Sequence, residues 1–264
     1  MTTSARQIAT TPEGKVSYTD TGSGEIRILL HSLLTDRSAF DGVSGLLGGR
    51  VIGMDLPGFG ATEAVGPDID GYARLVGAFI ETLDRDPEEI TVIGNGLGAF
   101  VALGTAIQHG TTFHKLVLVG CGVGFPEPAK AAFESMSGLV ESGGMEAVIP
   151  VALRRIFTVD YLEAHPDVAD ERADVLRRTD PEAFITACKA LYRLDYRDLA
   201  PSIGNPTLIV VGDEDQATPP TLAEELHDLI PTSSLVRMPG VAHAPHLQAP
   251  DDFADVIRPF LEGR

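Results

Sequence analysis

Two side chains late in the chain, Asp215 and His243, have the types and the order of an acid that orients a histidine base. Each follows a run that reads as a β-strand, "PTLIVVGDED" for the acid and "SLVRMPG" for the histidine. In an open parallel sheet, ligands bind outside the carboxyl ends of the strands, so these positions are the first places to look for chemistry. Other strand ends carry further candidates. His31, Ser32 and Leu33 follow "RILL", the turn from Asn95 to Gly98 follows "TVIG", and Cys121 follows "KLVLVG". A histidine held in one tautomer by a carboxylate can take a proton from substrate or water, which is general-base chemistry. Each residue also has a plainer reading. Asp215 could cap its own turn, His243 could be structural, and His31 and Ser32 could merely shape a turn. A thiol nucleophile at Cys121 would need a depressed pKa, and no sequence feature supplies one, so it reads as a small pocket-lining residue. His246 reads as structural, and Asp213 and Glu214 as solvated acids.

Apolar runs that alternate with helical patterns must position these groups. Strands are expected at "KVSYTDTG", "IRILLHS", "RVIGMD", "EITVIG", "KLVLVG", "PTLIVVG" and "SLVRMPG". Helices are expected over "SAFDGVSGLL", from Asp70 to Leu83, over "AFVALGTAIQHG" closed by Gly110, over "TLAEELHDLI", and from Asp251 to Leu261. Such alternation implies an α/β fold with a mostly parallel central sheet and helices on both faces. Between about 125 and 201 the pattern is helical throughout, with "AAFESMSGLVESGG", "AVIPVALRRIF" and "PEAFITACKALYRL" as its clearest segments. We read residues 1–124 as the first part of the core, 125–201 as an inserted helical lid, and 202–264 as the second part of the core.

A chain of 264 residues can bury one sizeable core. Its formal net charge of -18 disfavours nucleic-acid binding, which relies on clustered Lys and Arg. No stretch reaches the length of a membrane span, and the opening "MTTSARQIATTPEGKVSYTD" lacks the apolar core of a signal peptide, so a cytoplasmic location without membrane attachment is expected. Two cysteines, Cys121 and Cys188, make no disulfide framework and lack metal-ligand spacing. "GNGLGA" has no Lys-Ser/Thr pair after it and no acidic ribose partner, which argues against a phosphate or dinucleotide loop.

With "DLPGFGAT", "GNGLGA", "PTLIVVGDEDQATPP" and "PGVAHAPHLQAPDDFADVIRPFL" in these places, the chain resembles the α/β-hydrolase fold superfamily over nearly its whole length. Within it, "RTDPEAFITACKALYRLDYRDL" before "PTLIVVGDEDQATPP" is similar to the enol-lactonases of aromatic-acid catabolism, and more loosely to carbon-carbon bond hydrolases. The resemblance matches Gly94 and Gly98 to the outer glycines of G-x-S-x-G, with Gly96 standing where the serine nucleophile belongs. Asn95 sits one place early and is not a substitute. Glycine accepts the strained backbone of such a turn, so the geometry can survive without its nucleophile. The resemblance also implies an oxyanion hole of backbone N-H groups at Leu33 and Leu97, and contacts to substrate near His31, Ser32, Asn95 and Cys121. Ser32 departs from the glycine usual after that histidine.

The expected activity is hydrolysis, or a related lyase or isomerase step, on a small, mostly apolar lactone, ester or 1,3-dicarbonyl. His243 would act as the base, paired with Asp215, without a Ser nucleophile or an acyl-enzyme, and with no metal or organic cofactor. Ser32 is a lesser candidate for a replacement nucleophile. Two alternatives stand beside this: a non-catalytic small-molecule binder or sensor, and a serine hydrolase whose residue 96 was deliberately changed to glycine. Of Arg154, Arg155, Arg177, Arg178, Arg193 and Arg197, most should lie on solvated faces beside acids such as Asp174 and Asp198, and one turned inward could hold a substrate carboxylate.

Overall fold

The computed structural model describes residues 5–263. An antiparallel hairpin opens it, β1 (Gln7–Thr11) with β2 (Gly14–Gly22). β3 (Ile26–Leu30) buries all five of its residues, the continuous run expected of a strand covered on both faces. A single 3-10 turn (Arg37–Phe40) and the short helix α1 (Asp41–Leu47) lead to β4 (Arg50–Met54). Then come α2 (Ile69–Thr82), β5 (Ile90–Asn95), α3 (Leu97–His109) and β6 (Lys115–Val119). Asp68 starts α2 by accepting the Gly71 N-H at 2.7 Å, a side-chain N-cap.

Four helices follow without a strand: α4 (Glu127–Ile156), α5 (Val159–Ala164), α6 (Pro166–Arg178) and α7 (Pro181–Arg193). Gly144, at φ 65°, breaks α4 into two segments. Asp180 caps α7 by accepting the N-H groups of Glu182 and Ala183, with Pro181 in the first turn. The chain closes with β7 (Thr207–Gly212), α8 (Pro220–Leu229), β8 (Ser233–Met238), α9 (Pro245–Gln248) and α10 (Pro250–Leu261).

The strand order is β1-β2-β4-β3-β5-β6-β7-β8. β2 meets β4 antiparallel, and every pairing from β4 onward along the sheet is parallel. One apolar core, with Leu75, Phe79, Phe100 and Phe184, packs beneath α2, α3 and the four-helix segment. A second, with Phe40, Val43, Phe253 and Ile257, packs beneath α1 and α10 on the opposite face. The mostly parallel sheet with helices on both faces is as the sequence implies. The sequence reading did not name β1 or α9, and it read α5 and α6 only as part of a stretch that is helical throughout. β1 lies at the sheet edge with one buried residue in five, so it carries no apolar alternation, and α9 is a short four-residue helix. Among the described residues, no helix is long and apolar enough to cross a membrane.

Candidate active site

The carboxyl ends of β3, β5, β7 and β8 converge on one cavity. Between β5 and α3 the backbone turns at Gly96, with φ 52° and ψ -119°, in the region that L side chains rarely adopt. Flanking glycines make the tight passage possible. A Cβ on Gly98 would collide with the Leu30 carbonyl, and one on Gly94 with the Gly98 carbonyl. The turn is tied to its neighbours by the Gly96 N-H, which donates to Val119 O at 2.9 Å, and the Gly98 N-H, which donates to His31 O at 2.9 Å.

Across from this turn, His243 and Asp215 are buried, at 4% and 3% exposure. His243 Nδ1 lies 2.8 Å from Asp215 Oδ2. Asp215 Oδ1 accepts the N-H groups of Ala217 (2.8 Å) and Thr218 (2.9 Å), and Oδ2 accepts the Thr218 hydroxyl at 2.7 Å. Burial alone pushes the Asp215 carboxyl up, but the His243 ring and the Thr218 donors outweigh it and hold the group below the usual carboxylate range. The acid therefore stays ionised and fixes the ring by Nδ1, leaving Nε2 facing Gly96. Thr218 is a member that the sequence reading did not name. Its signal was its place three residues after Asp215, where a hydroxyl and an N-H can both turn back onto the carboxylate.

Ser32 Oγ is 3.5 Å from His243 Nε2. A Cβ on residue 96 would fall well inside contact distance of that same Oγ, 2.6 Å from His243 Nε2 and 3.1 Å from Ser32 Cβ. The side chain of Ser32 thus occupies the space beside the base that a residue-96 side chain would claim. The N-H groups of Leu33 and Leu97 have no hydrogen-bond partner among the described residues. For Leu97, this follows from its place in the first turn of α3, where N-H groups have no partner within the helix.

The cavity is small, leaving about 30 Å³ for the centres of water-sized spheres. Leu34, Phe100, Phe125, Phe133, Met136 and Leu191 form its apolar walls, and Ser32, Gly96, Leu97 and His243 its chemical end. Phe100, Phe125 and Phe133 make a run of rings with centroids 5.1 and 4.8 Å apart. The four-helix segment supplies Phe133, Met136, Arg155 and Leu191.

Three residues expected to touch substrate, His31, Asn95 and Cys121, do not line this cavity. His31 Nε2 accepts the Leu56 N-H at 3.1 Å, so Nδ1 carries the proton donated to Ser32 O at 2.8 Å. Burial pulls the His31 pKa down, and the Ser32 carbonyl only partly offsets this. Asn95 Nδ2 donates to His243 O at 2.8 Å and to Val119 O at 3.3 Å, joining the β5 turn to the histidine loop. Cys121 is fully buried, its thiol donates to Gly122 O at 3.4 Å, and burial pushes its pKa up, which is the reverse of an activated thiol.

The arginines separate clearly. Arg177 pairs with Glu146 and Asp174, and Arg197 with Glu225 and Asp195 rather than with Asp198. Arg193 donates to Pro67 O and Arg154 to Pro150 O, and neither they nor Arg178 lines the cavity. Arg155 does line it. Its one hydrogen bond among the described residues, to Ala217 O at 3.4 Å, leaves most of the guanidinium without a partner there, and burial lowers its pKa while Asp215 opposes the change. The sequence reading also passed over Arg172, which is 3% exposed, donates to Ser38 Oγ and pairs with Glu171.

Comparison with known proteins agrees with this fold. The family model described as "Alpha/beta hydrolase family" matches residues 28–256. A pimeloyl-[acyl-carrier protein] methyl ester esterase of Neisseria meningitidis serogroup C is 32% identical over 246 residues, covering 89% of this chain and 93% of that protein. Among solved structures, the enol-lactonase of Burkholderia xenovorans LB400 superposes with a TM-score of 0.89 at 26% identity, covering 97% of this chain and all of that one (100%). A thermophilic esterase from Thermogutta terrifontis, solved with malate bound, gives 0.88 at 25% identity, covering 98% of this chain and 99% of that one.

Proposed function

The chain belongs to the alpha/beta hydrolase family, and from that premise we propose that it hydrolyses a small, mostly apolar ester or lactone with His243 as general base. The observation that carries this reading is the 2.8 Å contact between His243 Nδ1 and Asp215 Oδ2, which leaves Nε2 open toward the cavity over Gly96. The base removes a proton from the attacking oxygen as that oxygen adds to the substrate carbonyl. Residue 96 contributes no oxygen of its own, so no acyl intermediate forms there.

The free N-H groups of Leu33 and Leu97 receive the developing oxyanion, each worth on the order of 3 kcal/mol in a dry site. The segment α4–α7 acts as a lid whose Phe133, Met136 and Leu191 accept the apolar part of the substrate. Arg155 is the lid arginine placed for a substrate carboxylate, which its unused N-H groups can grip in a bidentate way. The same base and cradle suit a 1,3-dicarbonyl, so the first activity panel spans p-nitrophenyl esters, lactones and diketones.

His243→Ala is the deciding variant. The proposal expects its rate on the best panel substrate to fall by about 10² to 10⁴, the usual worth of a positioned base. Turnover unchanged in His243→Ala would sink the mechanism. A parent protein that binds panel compounds but converts none of them, with affinity unchanged in His243→Ala, would make it a binder instead.

A further inference from the structure

We propose that Ser32 is the nucleophile, its hydroxyl standing in for the one missing at Gly96. This rests on the hydrolase reading above and names the attacking oxygen that it leaves open. It also departs from the expectation of direct attack by water.

The geometry makes the substitution concrete. Ser32 Oγ fills the space beside His243 that a residue-96 side chain would occupy, so it lies where the base can serve it. Its one hydrogen-bond partner among the described residues is His243 Nε2, at 3.5 Å, and the ring is fixed behind by Asp215 at 2.8 Å. Nucleophile-to-base contacts of this kind are often long before substrate binds. The backbone around Ser32 is held on both sides. Its N-H donates to Thr35 Oγ1 at 3.1 Å, and its carbonyl accepts from His31 Nδ1 at 2.8 Å and from the Thr35 N-H at 3.3 Å. Such fixing of the residue that carries the reacting oxygen is what precise attack requires.

Position 32 also keeps the chain relationship that position 96 has. Each directly precedes an unpaired N-H, Leu33 after Ser32 and Leu97 after Gly96. Both turns, with Ser32, Leu33, Gly96 and Leu97, line the same cavity. His31 and Ser32 are adjacent, and the neutral His31 ring, locked between Ser32 O and the Leu56 N-H, sets the turn without competing for the proton.

The chemistry balances as two acyl transfers. Ser32 Oγ forms a bond to the carbonyl carbon while its proton passes to His243 Nε2, and the carbonyl electron pair moves onto oxygen at the Leu33 and Leu97 N-H groups. The tetrahedral adduct collapses, the carbon-oxygen bond to the leaving alcohol breaks, and that oxygen takes the proton from His243. Water then adds to the acyl carbon, giving its proton to His243. The bond to Ser32 Oγ breaks, and the proton returns to Ser32.

The test combines covalent labelling with turnover of p-nitrophenyl butyrate, using the full chain. A fluorophosphonate should phosphonylate the peptide carrying Ser32, and the ester should give a burst of one nitrophenolate per chain. Ser32→Ala should lose label and burst and more than about 100-fold in turnover. Ser32→Cys, which keeps a nucleophile of similar shape, should still acylate, now as a thioester, and so guards against mere misfolding of the alanine variant. Ser32→Ala turning over at the parent rate while His243→Ala does not would overturn the assignment and leave the base reading intact. Loss of turnover in Ser32→Ala, with a parent that shows neither label nor burst, would also overturn it and reduce Ser32 to a positioning role. Parent-rate turnover in both variants would remove the base reading as well. A parent inert toward this ester is judged by the label alone: phosphonylation at Ser32 that is lost in His243→Ala supports the assignment, and none at Ser32 overturns it.

Discussion

Ser32 Oγ and a Cβ on residue 96 would claim the same space, and the absence of the second is what lets the first lie beside His243. Gly96→Ser should therefore do more than add a hydroxyl. It must turn Ser32 Oγ aside and hold a side chain at φ 52°, a strain on the order of 1 to 3 kcal/mol. The expected result is a lowered Tm together with transfer of fluorophosphonate label from the Ser32 peptide to the residue-96 peptide. In that background, adding Ser32→Ala should cost far less activity than it does in the parent. Additive losses in the double variant would show that the two positions do not exchange roles.

Asn95 is the second point of control, although its side chain faces away from the cavity. By donating to His243 O and Val119 O, it fastens the histidine loop to the β5 turn. Asn95→Ala leaves the buried His243 carbonyl short of a donor, at about 1 to 3 kcal/mol, while Val119 O keeps the Gly96 N-H. Reduced stability should come with a fall in kcat larger than any change in KM, because the base loses its place while the cavity walls remain. Unchanged kcat in a folded Asn95→Ala protein would count against the fastening.

His246 gives a stability prediction with a definite sign. The ring is buried and stacked on Phe40 at 4.4 Å, and both its nitrogens lack partners among the described residues. Burial, with His243 and Arg172 adding in the same direction, lowers its pKa to about 3. The folded protein keeps this ring neutral, whereas the unfolded chain takes up a proton below about 6.5, so the unfolded state binds more protons in between. Stability should fall as the pH is lowered from about 6.5 toward about 3, with this group adding a slope of up to roughly 1.4 kcal/mol per pH unit. His246→Phe should flatten that slope in denaturant titrations, leaving the part due to His31, which burial shifts the same way. An identical slope in the variant would show that His246 takes no part.

Arg155 should govern which substrates are accepted. Arg155→Met keeps the apolar stem but removes the guanidinium, so turnover of esters bearing a free carboxylate should fall mainly through KM. Neutral p-nitrophenyl esters should be converted about as well as before. An equal loss on both classes would assign Arg155 to the fold of the α4–α7 segment rather than to recognition.

Much of this site was legible because it sits at strand ends, where pattern and function coincide. Asp215 and His243 could be picked out from their order and from the apolar runs before them, and Gly96 from the glycines on either side. Departures at Ser32 and at Gly96 were each visible as well. Their meeting was not, since one belongs to the loop after β3 and the other to the turn after β5, and only the pairing of those parallel strands brings them together. Thr218 and Arg155 depended on which way a loop and a helix face, and an arginine-bearing helix reads alike whether a given arginine points to solvent or to a cavity. Asn95, His31 and Cys121 lie off the cavity, since adjacency to a strand end does not tell which way a side chain faces.

The run of rings from Phe100 through Phe125 to Phe133 has a calorimetric consequence. An acyl chain laid against those faces takes apolar surface out of water, and the mark of that is a negative heat-capacity change on binding. The binding enthalpy then becomes more favourable as the temperature rises, while the entropy turns against it. For any one ester, a plot of the logarithm of affinity against inverse temperature should curve, and lengthening the acyl chain along the rings should deepen the curvature until the cavity is full.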